Sequence, residues 1–181
     1  MGSPQTLSEA DRRQVAAWAA DCAERVLGVF ETEVPGDDRP RQLIGRARAF
    51  ARGELGTAEE IRRRFVGGVS ADEVKAPAAA AAARAAGQAV GVCHMGAHGL
   101  GAAAYAVKAA GLAYPHRPDA AGEEVRWQLA RMSAEVRAAL RSLPPASENP
   151  SGPLGPGLLA SGQLGTIVRD LQTRLARSGP R

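Results

Sequence analysis

One short stretch concentrates the reactive side chains of this sequence: Cys93-His94-Met95-Gly96-Ala97-His98. On a helix, residues four apart share a face, so His94 and His98 would stand one above the other. Two imidazoles at that spacing can hold one metal ion, but a zinc site needs at least one more ligand. His116, Asp119 or a carboxylate from the first helices are the candidates for it, and spacing does not choose among them. No Glu follows His94 in the zincin manner. The expectation is therefore no metal and no cofactor. Two roles remain for the pair. It is either a hydrogen-bonded couple inside a helical core, or a pocket wall whose imidazoles contact a ligand or move protons. Both rings are expected to point inward from one face of one helix, beside Val90, Ala97, Gly101 and Tyr105. Cys93, next in line to His94, points about 100° away on a helix and reads as a buried, inert thiol.

Carboxylates that could work with the histidines lie on the first helix. Asp21, Glu24 and Arg25 follow its apolar stripe closely. If the protein is an enzyme, His94, His98, Asp21 and Glu24 form the acid–base set. If it is a binding protein, Trp18, Asp21, Arg25, His94, His98 and Tyr105 are the ligand contacts. The alternative for Asp21 and Arg25 is a surface ion pair of small energetic weight. Arg39, Arg41 and Arg46 can lock helices together through Asp21 or Glu24. Gly96-Ala97-His98-Gly99-Leu100-Gly101 lacks the Lys and the strand-to-helix setting of a phosphate loop.

The elements that must position these groups are helical. Ser8 with Asp11, Thr57 with Glu60 and Ser70 with Glu73 have capping-box spacing. After Ser8, the residues Val15, Trp18, Ala19, Cys22, Val26, Val29 and Phe30 recur every three or four positions, which predicts a helix over about 8–32. Leu43, Ile44, Ala47, Phe50 and Ala51 predict a second, with Pro40 in its first turn. Ile61, Phe65 and Val66 predict a short third. A long candidate covers about 71–112, with Gly87 and Gly91 in a small-residue stripe that requires close packing or a break near 96–101. Val125, Leu129, Met132, Val136 and Leu140 predict a last core helix over about 119–143. The reading is an all-α fold: one bundle of about five core helices over residues 1–143 with a flexible C-terminal extension. In that extension, 144–165 reads as a Pro/Gly-rich linker and 166–181 as a short amphipathic tail helix or a disordered tail. The tail is expected to be dispensable for folding.

Composition bounds the class. The 181 residues include 21 Arg but only two Lys, and aromatics are 4%, so the core must be built from Ala, Val and Leu. The net charge of +4 and pI near 9.7 invite a nucleic-acid partner. Acidic residues interleave with the arginines, however, and the densest basic run is only Arg62-Arg63-Arg64. That pattern is a solvated face, and no specific nucleic-acid binding is expected. No apolar run reaches the length of a membrane span, and no signal peptide is visible. Two cysteines make no disulfide framework. The expected location is the cytoplasm, and a homodimer remains open through the small-residue stripe and the terminal segment.

Several segments in order resemble a known family. They are Ala19 to Leu27 with Asp21, Cys22, Glu24 and Arg25; then Asp38, Arg39, Pro40 and Arg41; then Arg48 to Glu54 with Gly53; then Ala82 to Gly87; then His94 and His98; then Tyr105 and Lys108. Together, over roughly residues 12–142, they are similar to the type-five-like immunity protein family, small helical proteins of high-GC bacteria. Relatives often carry His where this chain has Gln88, and an Ala/His-rich segment near 66–68. The resemblance implies a non-enzymatic protein that neutralises a toxin or sequesters a small toxic metabolite, with a protein toxin or a small-molecule ligand as partner. The competing reading is a cofactor-independent cyclase, isomerase or lyase of specialised metabolism, using His94 and His98 with Asp21 or Glu24.

Overall fold

Ser8 starts the fold. Its backbone is extended (φ −67°, ψ 159°) and its Oγ accepts from the Asp11 N–H at 3.1 Å. This satisfies one of the four amides that a helix start leaves unpaired. From that cap α1 (Glu9–Glu33) runs 25 residues and buries the predicted stripe, Val15 to Phe30. The turn at 34–38 ends it, and α2 (Arg39–Ala51) follows with Pro40 in its first turn and Leu43, Ile44, Ala47 and Phe50 buried. The remaining helices are α3 (Thr57–Arg62), α4 (Pro77–Gly91), α5 (His98–Ala113), α6 (Ala120–Arg131), α7 (Ala134–Arg141) and α8 (Gly162–Arg177), with a 3₁₀ turn at Leu158–Ala160 before α8.

The computed structural model describes residues 3–63, 66–70 and 73–177. Among these the fold is all-helical, with no strand, and no helix is long and apolar enough to cross a membrane. Arg64 and Phe65, which the sequence reading used, lie outside the described residues.

Helix α5 is buried around its whole circumference from Gly99 to Val107. A helix of that kind has to be surrounded, and α1, α4, α6 and α8 all pack on it. Its side chains are mostly Ala and Gly, so neighbours come close to its backbone. A Cβ added at Gly99 would lie 2.4 Å from Val15 Cγ1. The small-residue stripe is thus the contact between α5 and α1, and between α5 and α4.

Two predicted long helices are each broken in two, for identifiable reasons. The 71–112 candidate stops at Gly91 and restarts at His98. The two amides just ahead of α5 are satisfied from outside: Gly96 N–H donates to Thr6 O and Ala97 N–H to Gln5 O, both at 3.0 Å. There is no room for a side chain at Gly96, where a Cβ would sit 2.3 Å from Leu7 Cδ1. The 119–143 candidate breaks at Met132, whose ψ of 128° is extended. Ser133 then caps α7 by accepting from Val136 N–H at 3.2 Å. The Ser70–Glu73 pair starts no helix directly. Glu73 accepts from Ser70 N–H at 2.9 Å and from Arg39 at 2.6 Å, closing a loop.

Where the sequence reading places a flexible extension after Leu143, the structure places a docked helix. Leu164, Val168, Leu171 and Leu175 of α8 are buried, and α8 packs on α5 and α7. The Pro/Gly-rich segment before it is pinned by a buried Gln5: its Nε2 donates to Ser151 O at 2.7 Å and its Oε1 accepts from Leu154 N–H at 2.9 Å. Gln172 holds both Ala146 N–H and Pro144 O. Leu171→Ala is therefore expected to cost about 2–5 kcal/mol through the cavity it leaves, lowering the thermal midpoint by roughly 5–15 °C in a domain of this size. An unchanged midpoint would mean that α8 adds nothing to the body.

Candidate functional site

The α4–α5 turn carries the histidines. It is held against α1 by Arg12, a buried guanidinium whose Nε donates to Cys93 O at 3.0 Å and whose Nη1 donates to Leu7 O at 2.9 Å. His94 lies within the turn and His98 opens α5. The expectation that both sit on one face of one helix is corrected: the chain changes direction between them. The turn nevertheless brings the rings to a centroid distance of 5.0 Å at 62°.

Beside them is a cavity of about 230 Å³. Gly87, Val90 and Gly91 of α4 form its apolar wall, and Cys93, His94 and His98 form the side given by the turn. The opposite side is Arg46 of α2 and Glu60 of α3. Gly91 is small because His98 lies against it: a Cβ there would be 3.0 Å from the ring's Cγ. Glu60 is fully buried. Its Oε2 accepts from Arg46 Nε at 3.1 Å and Nη2 at 2.9 Å, while its Oε1 has no hydrogen-bond partner among the described residues. Arg46 also donates to Val66 O at 2.8 Å and Arg63 O at 3.2 Å, so one guanidinium fixes both the short helix and its exit.

Gln88 settles the state of His98. Its Oε1 lies 2.8 Å from His98 Nδ1, and an amide oxygen only accepts. Nδ1 therefore carries the proton, and Nε2 is left as a lone-pair acceptor. Burial, with the His94 imidazole adding to it, pulls His98 down from 6.5 to about 4. Burial pushes the Cys93 thiol up to about 11, with the Glu60 carboxylate adding to the effect. At neutral pH the cavity thus presents a neutral imidazole and an intact thiol, not a thiolate–imidazolium pair. The Cys93 Sγ lies 3.8 Å from His94 Nδ1. Among the described residues, no three His, Cys, Asp or Glu side chains converge as a metal-ligand group.

The other expected site residues stand elsewhere. Asp21 pairs with Arg48 at 3.0 Å and Arg131 at 3.7 Å, and Glu24 pairs with Arg48 at 2.6 Å. Neither lines the cavity. The i,i+4 partner expected for Asp21 turns away: Arg25 reaches Glu124 at 3.3 Å and lies over the Trp127 ring. Arg39, Arg41 and Arg46 go to Asp37 and Glu73, to Glu31, and to Glu60, so Arg48 alone of the α2 arginines takes Asp21 and Glu24. Trp18 is a core group that donates to Gln128 O at 3.0 Å. Tyr105 is buried two turns further along the same side of α5 as His98, with Arg84 over its ring, and it does not line the cavity.

Glu60, Arg46 and Gln88 were missed as site residues. Thr57-x-x-Glu60 has the spacing of a capping box, yet Gly56 is the cap position and Thr57 Oγ serves Glu9 and Arg12 instead. The available signal was Gln88, one amide in a run of Ala and Gly.

A sequence model of the family described as "Imm-5 like putative immunity protein" matches residues 5–135. That span holds every wall of the cavity and the Gln5 and Arg12 anchors, and it ends before α8. No curated protein and no solved structure matches the chain.

The depressed His98 makes stability depend on pH. The unfolded chain takes up that proton near 6.5, the folded one near 4. Between these values the unfolded state binds more protons, so stability falls as the pH drops through 6.5 and levels off below about 4. The loss is expected to reach about 2 kcal/mol by pH 5. Urea unfolding at pH 7 and pH 5 measures it above the range where Arg-paired carboxylates such as Glu73 titrate. His98→Gln should flatten this limb, and a wild-type curve that is already flat would contradict the burial of a neutral His98.

Proposed function

The chain belongs to the Imm-5 like putative immunity protein family, and on that premise we propose that it protects its own cell by binding. It takes up a toxin, or the toxic group a toxin delivers, stoichiometrically and without turnover, in the cytoplasm. The family match is the observation that carries this reading. The state of the cavity favours binding over catalysis. An acid–base enzyme needs groups whose proton affinities suit the working pH. His98 is neutral far below pH 7, and Cys93 is protonated far above it. The carboxylates that would have oriented the histidines are engaged by Arg48 and Arg131 on another face. What remains is a largely apolar receptacle.

Stoichiometry tests the proposal. A toxin encoded beside this gene is expressed and purified, and its activity is titrated with the chain. Inhibition is expected to be complete at a fixed molar ratio, with a complex that co-elutes in size-exclusion chromatography. Inactivation of excess toxin by substoichiometric amounts of the chain would establish the enzymatic alternative instead.

A further inference from the structure

The cavity between α3, α4 and the α4–α5 turn has an unbalanced set of polar groups. Glu60 is fully buried, one carboxylate oxygen is taken by Arg46 and the other by nothing among the described residues. A buried acceptor left unpaired is costly. His98, whose Nδ1 proton is given to Gln88, presents a lone pair at Nε2. Glu60 Oε1 and His98 Nε2 thus stand as acceptors among the residues that line the cavity. Charge is nonetheless balanced. Arg46 neutralises Glu60, and His98 is uncharged at neutral pH. A cation entering would be an uncompensated charge against the Val90 and glycine wall, and an anion would face the free Glu60 oxygen.

We propose that this cavity is a binding site for a neutral, largely apolar, ring-sized group bearing an N–H donor, which hydrogen-bonds to Glu60 Oε1 and fills the space beside Gly87 and Val90. At about 230 Å³ it lies just below the range of drug-sized sites, about 300–1,000 Å³, which suits one or two fused rings. The group is either a free small molecule or a side chain of a polypeptide such as tryptophan. This deepens the binding reading given above, and it concerns the cavity alone.

Indole is the probe, benzothiophene its control without a donor, and Gly-Trp-Gly the polypeptide-borne form. Binding to the full chain is followed by NMR titration of the His94 and His98 ring signals. Indole is expected to give saturable shifts, with benzothiophene weaker by about tenfold or more, the loss of one hydrogen bond to a charged acceptor. Glu60→Gln should abolish the difference between the two. Gly87→Leu is the second variant: a Cβ at Gly87 meets nothing within 4 Å, so leucine is tolerated by the helix yet occupies the cavity, and it should remove indole binding with the circular dichroism unchanged. Tighter binding of the tripeptide than of indole assigns the group to a polypeptide, and its exclusion while indole binds assigns it to a free molecule. Equal binding of indole and benzothiophene, binding that survives Gly87→Leu, or no saturable shift with indole or tripeptide overturns the proposal. None of these results bears on whether the chain inhibits a toxin stoichiometrically, so the two readings fail separately.

Discussion

A buried cation with no carboxylate on it among the described residues organises this protein. Arg12 cannot give up its proton, so once inside the bundle it must find acceptors. It finds backbone and hydroxyl oxygens from three parts of the chain: Cys93 O in the α4–α5 turn, Leu7 O ahead of α1, and Thr57 Oγ at the start of α3. Hydrogen bonds to a charged donor are each worth about 1.5–3 kcal/mol, and losing the guanidinium would take the donor away from both Cys93 O in the turn and Leu7 O ahead of α1. The position of His94 and His98 follows from this. The turn is held from below by α1, and the imidazoles project from a segment that is not itself a regular helix. Glu60, through Arg46, then closes the opposite side.

The bundle around this turn works with very small side chains. With few aromatics to fill space, α5 gains its burial by letting α1 and α4 come close, and the glycines mark the contacts. Gly91 and Gly99 have different tasks within nine residues. The first makes room for an imidazole, and the second makes room for Val15 of the neighbouring helix. Dense packing of this kind leaves cavities only where a bulky group is withheld. The absence of any neighbour within 4 Å of a Cβ at Gly87 is such a place, and it falls on the cavity wall.

The helical class was legible because the stripes of α1 and α2 are long and regular, and Ser8 caps as its spacing indicates. The breaks were not, because they depend on distant partners. Nothing local to 92–97 says that Gln5 and Thr6 will take the amides of Ala97 and Gly96 just ahead of α5. Ser133 was readable as a cap, but it sits inside a sequence whose apolar period runs on without interruption. Of the expected site, the pairing of His94 with His98 was readable from their proximity, although the geometry that pairs them is a turn and not a shared face. Asp21 and Glu24 looked available because their partner, Arg48, is more than twenty residues away and belongs to another helix. Glu60 carried the sequence pattern of a cap and the environment of a buried functional group, and only the tertiary packing of α3 separates the two.

Gln5 also sets an order in time. Its side chain bonds Ser151 and Leu154, which lie 146 and 149 residues further along, and its carbonyl meets Ala97 N–H. During synthesis the residues that precede α1 leave the ribosome first, yet their partners are made much later. The segment's backbone can meet the α4–α5 turn as soon as residues 96 and 97 are made, but the Gln5 side chain waits for Ser151 and Leu154. Contacts of such long sequence separation slow folding, so the Pro/Gly-rich strap ahead of α8 is among the last parts of the molecule to be anchored. A nascent chain stalled before Ser151 carries every wall of the cavity and both histidines, and lacks the strap that Gln5 pins.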